Sequence, residues 1–233
     1  LAVYLYRFSP TAWYSAGLWI LVGLGIFFAF SRIRLEEAER PRVAYEEKEG
    51  VRKGERILVP VADPSHVDTE MTVAAALARD READLVALNV VRVPSQLPLS
   101  EGMQFVDDAQ DVLQAVDRFE EETGGMPIHK IVSVGHRISD VIHRTARNEE
   151  ASLIVLGWKG QVHEQRIHGS VADAALHNPP ADIVMIKDNG LPETVERIGV
   201  GVSPGLHSQN ALNIAISLAK GFLQLKYIVI LAY

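Results

Sequence analysis

Over residues 8–31 the chain carries no ionisable group except the phenol of Tyr14, and residues 11–30 are almost wholly apolar. Twenty residues wound as a helix at about 1.5 Å each reach about 30 Å, the thickness of a bilayer's hydrocarbon core. A helix in a soluble core rarely runs that far uncharged, and a signal peptide has a shorter apolar region followed by a cleavage site. The stretch therefore reads as a membrane span. Arg32, Arg34, Arg40, Arg42, Lys48, Arg52, Lys53 and Arg56 follow it, against Arg7 alone before it, which places the C-terminal side in the cytoplasm. The expected location is the cell membrane, with the C-terminal domains cytoplasmic. Trp13 and Tyr14 would sit at the outer interface. Residues 1–6 are apolar but too short to cross, and residues 7–10 would make a tight loop after them, so residues 1–30 read as the end of a transmembrane domain. Gly25 and Ala29 have the spacing of a close helix contact, which composition alone also explains. The chain opens on Leu1 and stops at Tyr233 inside an apolar run, which reads as a piece cut at both ends.

Residues 31–54 are charged and contain Pro41, Gly50 and Gly54, the pattern of a solvated linker. Apolar runs then alternate with helical patterns. The runs 57–61, 85–91, 128–134, 153–156 and 183–186 are short, β-branched and continuous, as parallel strands covered on both faces are. Between them, Val67, Met71, Ala74 and Ala78 form one helical stripe, and Phe105, Ala109, Val112, Val116 and Phe119 another. Gly124 and Gly125 stop the second helix, and Asn178, Pro179 and Pro180 the fourth. The expected fold is α/β: a transmembrane helix, then a doubly wound five-stranded parallel sheet over residues 55–188.

Glu55, Arg56, Ile57, Val59 and Val61 return as Glu196, Arg197, Ile198, Val200 and Val202, an offset of 141 residues. Ala74, Leu77 and Ala78 return as Ala215, Leu218 and Ala219. Residues 193–233 therefore read as the truncated start of a second copy, too short to hold a core unless it packs on the first. The two repeats are expected to form an intramolecular pseudo-dimer. With no cysteine there is no disulfide framework and no thiolate nucleophile, and a net charge of -7 disfavours nucleic acid as a partner.

After the fourth strand come Gly157, Trp158, Lys159 and Gly160, then eight residues, then Gly169 and Ser170 opening a helix. Glycines allow close backbone approach, and a helix N-terminus offers free N–H groups, a combination suited to phosphate. Lys159, His163, Arg166 and His168 stand near enough in sequence to add charge or hydrogen bonds. The plainer reading is a tight crossover with Ser170 as a cap, and spacing alone leaves both open. The chain has no G-x-x-x-x-G-K-[ST] loop, Gly199, Gly201 and Gly205 only imitate a dinucleotide fingerprint, and Ser170 lacks a nucleophile elbow. No general acid and base pair stands out, and the eight histidines lack metal-ligand spacing.

Gly157, Gly160, Gly169 and Ser170 resemble the G-x-x-G, nine residues, G-[ST] pattern of ATP-binding universal stress proteins, here with eight intervening residues. The resemblance implies that Pro60, Val61 and Val90 border adenine. It also implies that Leu156, Gly157, Lys159, Gly160, Gly169, Ser170, Val171 and Ala172 hold ribose and phosphates. The acidic residue that such proteins carry two after the strand-one proline is replaced by Ala62, and the resemblance leaves Asp63, one place later, to take its part in holding the nucleotide. Gly201, Val202 and Ser203 stand in the second copy for Pro60, Val61 and Ala62, which suits it less to ATP. The stretch LYRFSPTAWYSAGLWI is similar to the last loop and helix of amino acid permeases of the amino acid-polyamine-organocation superfamily, some of which carry tandem universal stress domains.

Together these resemblances imply a C-terminal regulatory region of a membrane amino acid transporter, binding ATP or AMP, with Mg²⁺ as a possible companion and no catalytic residues. Its expected partners are the membrane, a transporter core upstream and adenine nucleotide. The alternatives are a nucleotide-independent interaction module and, ranked last, a nucleotide hydrolase.

Overall fold

The computed structural model describes residues 14–27, 42–47, 54–101, 109–158, 170–187, 189–192, 194–203, 206–222 and 227–232. The chain divides into two units, residues 1–40 and 41–233. In the first, residues 14–27 are helical and expose Tyr14, Leu18, Trp19, Ile20, Leu21 and Phe27. Among the described residues no helix is long and apolar enough to cross a membrane. The helical segment covers the middle of the expected span, and the rest of residues 11–30 lies outside the described residues.

The second unit begins with a strand, β1 (Arg42–Glu47). Then follow β2 (Arg56–Pro60), α1 (Val67–Arg81), β3 (Asp84–Arg92), α2 (Gln110–Glu122), β4 (Ile128–Gly135), α3 (Ile138–Asn148), β5 (Leu153–Trp158), α4 (Ser170–Leu176) and β6 (Asp182–Lys187). Six strands form one sheet in the order β1-β4-β3-β2-β5-β6. β2 to β6 are parallel, as their continuous apolar runs require, and β1 is antiparallel to β4. The expected sheet of five parallel strands is thus a mixed sheet of six. Residues 42–47, read as linker, are strand because β4 supplies them with partners, and Ala44 packs onto the cluster of Val91, Val132 and Val134. Val43 and Tyr45 stay exposed, so the strand lacks the apolar face that would have marked it in the sequence.

Side chains alternate along β2. Ile57 and Val59 face α1 and α2 with Leu85, Ala87 and Phe119, while Leu58 faces α3 and α4 with Val86, Leu88, Ile142 and Ile154. A strand with apolar partners on both sides must be apolar throughout, which is why the run is continuous. The helical stripes follow the same logic: Val67, Met71 and Ala74 of α1 are fully buried, and Val112, Val116 and Phe119 of α2 nearly so. Gly124 and Gly125 have φ values of 83° and 76° and end α2 as expected, and Asn178 at 54° follows α4. Phe105 of the second stripe lies outside the described residues.

One buried charge crosses the layers. Lys130 of β4 reaches α2, where its Nζ lies 2.6 Å from Asp117 Oδ1 and 2.8 Å from Glu120 Oε2. Burial alone would lower the lysine's pKa, but the two carboxylates outweigh it and hold the ammonium well above its ordinary value. Residues 197–232 form a separate β-α-β unit: β7 (Arg197–Val202), α5 (Leu206–Gly221) and β8 (Tyr227–Ala232), the two strands parallel. α5 packs against α1. Replacing Lys130 with Met would leave Asp117 and Glu120 side by side without their cation. The substitution is expected to cost about 2–4 kcal/mol of unfolding free energy, read from urea denaturation; an unchanged midpoint would contradict the pairing.

Candidate functional site

β2 lies where the path of the chain through the sheet reverses. From β2 it moves outward to β3 and β4, then returns to lay β5 and β6 on the other side. Crossovers leaving in opposite directions open a crevice outside the carboxyl ends of the two strands at the switch. The ladder between β2 and β5 is short: Ile57 stands opposite Leu153 and Leu58 opposite Ile154. β2 nevertheless stays paired with β3 as far as Pro60, and β5 with β6 as far as Trp158. The two central strands therefore part beyond Leu58 and Ile154. Pro60, with no N–H to offer, is compatible only with an unpaired side there.

The β2 wall of the crevice is held by β3. Val61 N–H donates to Leu88 O at 2.8 Å, and the buried Asn89 amide donates from Nδ2 to Val61 O at 2.9 Å. Both backbone groups of Val61 are thereby fixed. Asn89 was missed in the sequence, although a lone amide within the apolar run of β3 was a signal, because a buried amide needs a partner. Asp63 turns toward the start of α1, its Oδ1 accepting from Ser65 N at 3.1 Å and from Ser65 Oγ at 2.7 Å. It caps the short turn Pro64–His66 that leads into α1.

The β5 wall ends in Gly157 and Trp158. A Cβ built on Gly157 would overlap Glu70 Oε1 and lie 2.7 Å from Glu70 Cδ. Glu70, from the first turns of α1, is buried at 6% exposure. The room that the glycine leaves is thus taken by a carboxylate of this chain, and a side chain at 157 would have to push Glu70 aside. Beyond it, the Lys187 ammonium stands 5.9 Å from the Trp158 ring centroid, a cation–π distance.

The fold brings Pro60, Val61, Val90, Leu156 and Gly157 to the carboxyl ends of β2, β3 and β5. Leu156 and Ala172 are buried with Leu58 in the core, and Val90 and Val171 are half-buried against them. What Leu156 and Ala172 can offer a ligand is their backbone. Ser170 is the first residue of α4. Lys159, Gly160 and Gly169, with His163, Arg166 and His168, lie outside the described residues.

Two other polar features are present among the described residues. A groove of about 460 Å³ between α3 and α4 is lined by Arg137, Asp140, His143, Asp173 and His177, none of them residues expected to hold nucleotide. Among the described residues, His and carboxylate groups come within ligand spacing of one another at Glu46, His129 and Glu149. His129 Nε2 is 3.3 Å from Glu46 Oε1 and its Nδ1 is 3.5 Å from Glu149 Oε2. The Arg56 guanidinium already holds Glu149 at 2.5 Å, which neutralises the charge a cation would need. The three residues lie far apart in sequence, so no spacing announced them. They gather at the amino ends of the strands, away from the crevice.

The chain matches the universal stress protein family over residues 54–187. Universal stress protein A homolog 2 of Coxiella burnetii is 29% identical over 141 residues, which cover 58% of this chain and 96% of that protein. A universal stress protein from Archaeoglobus fulgidus DSM 4304 has the same fold, with a TM-score of 0.54 at 17% identity over 76% of this chain and 65% of that one. Another from Archaeoglobus fulgidus, solved in complex with dAMP, is 19% identical over 57% of this chain and 98% of that one, with a TM-score of 0.44.

The packing of Glu70 over Gly157 can be read directly. Gly157→Ala is expected to destabilise the fold by about 1–3 kcal/mol. In a Glu70→Ala background the same change should cost less, giving a coupling of at least about 0.5 kcal/mol in a double-mutant cycle of urea melts. Additive effects would mean that the two residues do not share the space.

Proposed function

This chain belongs to the universal stress protein family, and we propose that it is the C-terminal regulatory region of a membrane amino acid transporter whose cytoplasmic universal stress domain binds an adenine nucleotide. One observation carries the nucleotide part: the parting of β2 and β5 beyond Leu58 and Ile154, which leaves a crevice at the switch point of a parallel sheet. One wall is the fixed Val61 backbone and the other ends in a glycine. Adenine would lie against Pro60, Val61 and Val90, and the phosphates near Gly157, Lys159, Gly160, Gly169 and Ser170. One Archaeoglobus fulgidus family member has been solved with dAMP. ATP or AMP is proposed here, held rather than turned over; any Mg²⁺ would come with the phosphates.

The transporter part rests on the sequence alone. Residues 11–30 are long and apolar enough for a span, and the basic residues after them set the cytoplasmic side. In this reading nucleotide occupancy biases the transporter by stabilising one arrangement of the cytoplasmic domain against another.

A second reading, an interaction module that works without nucleotide, is favoured by the Glu70 side chain, which already fills the space that Gly157 leaves. The two separate experimentally. Calorimetric titration of the full chain in detergent with AMP and with ATP should show binding in the micromolar to millimolar range. Gly160→Ala with Gly169→Ala should weaken it at least about tenfold, or about 1.4 kcal/mol. No binding of either nucleotide at millimolar concentration would remove the nucleotide reading and leave the interaction module.

A further inference from the structure

α1 is buried in a way that the sheet alone does not explain. Ala74, Ala75, Ala76, Leu77 and Ala78 are five consecutive residues, all with exposures of 2% or less. Successive helical residues step about 100° around the axis, so five in a row point in every direction. A helix resting on a sheet buries one stripe; a helix buried all round has something on its far side as well. Here the far side is covered by α5.

The contacts between the two helices are reciprocal. By the offset of the repeat, Ser217 of α5 corresponds to Ala76 of α1, and Gly221 to Asp80. Gly221 meets Ala76: a Cβ on the glycine would overlap Ala76 O and lie 2.6 Å from its Cα. Asp80 meets Ser217, which hydrogen-bonds to its carboxylate. Position 76 of one copy thus touches position 80 of the other, and position 80 touches position 76 in return. That exchange is the signature of a two-fold axis between equivalent surfaces.

The two surfaces are not identical, and the difference lies next to the axis. Two α1 helices brought together in the same way would place an Asp80 against each Ala76 backbone, where there is no room for a side chain. α5 has Gly221 in that place; Lys220, whose Nζ lies 3.1 Å from Asp80 Oδ1, stands where α1 has Arg79, so both copies carry a cation there.

We propose that the outer face of α1, centred on Ala76 and Asp80, is the docking surface for the matching helix of a second repeat, and that Gly221, in the place of Asp80, makes it choose the unlike copy over its own kind. The pairing rests on reading residues 193–233 as the start of a second copy, and it is independent of nucleotide binding. Ser217 first, and Lys220 second, hold the Asp80 carboxyl below its ordinary pKa. The contact is therefore at full strength above the usual carboxylate range and weakens as pH falls through the depressed value.

The chain has no cysteine, so a cross-link can be introduced without background. In the full chain, Asp80→Cys with Ser217→Cys should oxidise to a disulfide within one chain, seen as a monomer on a non-reducing gel with the two cysteines joined in one peptide by mass. Adding Gly221→Val should cut the yield at least tenfold while the circular dichroism of the chain stays unchanged. Cross-linking only between chains, or none, would overturn the pairing. A yield indifferent to Gly221→Val would overturn the choice of partner. Neither result depends on whether the crevice takes nucleotide.

Discussion

The short ladder between β2 and β5 is the constraint on which the arrangement depends. At the amino end the strands are locked: Ser152 N–H donates to Arg56 O at 2.9 Å, and the Arg56 guanidinium holds Glu149 at the end of α3 at 2.5 Å. Ala151 N–H returns to Ala146 O at 2.8 Å and Glu150 takes φ of 50°, so the turn that delivers Glu149 is itself fixed. Two residues later the ladder stops. The junction is closed at one end and open at the other, and the open end is where ligands of such sheets bind.

Each wall of that opening is stabilised from its outer side, so the crevice does not need a ligand to keep its shape. Asn89 and Leu88 hold Val61, and β6 holds Gly157 through its ladder partner Ile186. Glu70 fills the gap above Gly157, so that space is occupied by a side chain of this chain before anything binds.

The continuous β-branched runs announced the parallel strands because a strand covered on both faces has no polar side to show. Helix ends were equally legible where glycine supplied a positive φ, as at Gly124 and Gly125. β1 was not, since its support comes from β4 and it buries little of its own. Nor was the cluster of Arg56, His129, Glu46 and Glu149, which three-dimensional proximity creates from four distant places. In the site, the role of Gly157 was read as access for a ligand, and the structure adds a side chain of this chain in that space. Asp63, expected near adenine, is engaged as a cap for the turn before α1. The packing of α1 was half legible: Val67, Met71, Ala74 and Ala78 read as one apolar stripe, but only the reciprocal contacts with α5 show that the opposite side is covered as well.

The central claim is that the open end of the β2 and β5 junction takes an adenine nucleotide. Amide hydrogen exchange of the full chain, compared with and without millimolar AMP, tests it where it stands. The account predicts slower exchange at Val61, Ala62, Gly157 and Trp158, with no change at Arg56 or Ser152 at the closed end. Unchanged exchange at the open end, or protection confined to the closed end or to the groove between α3 and α4, would contradict it.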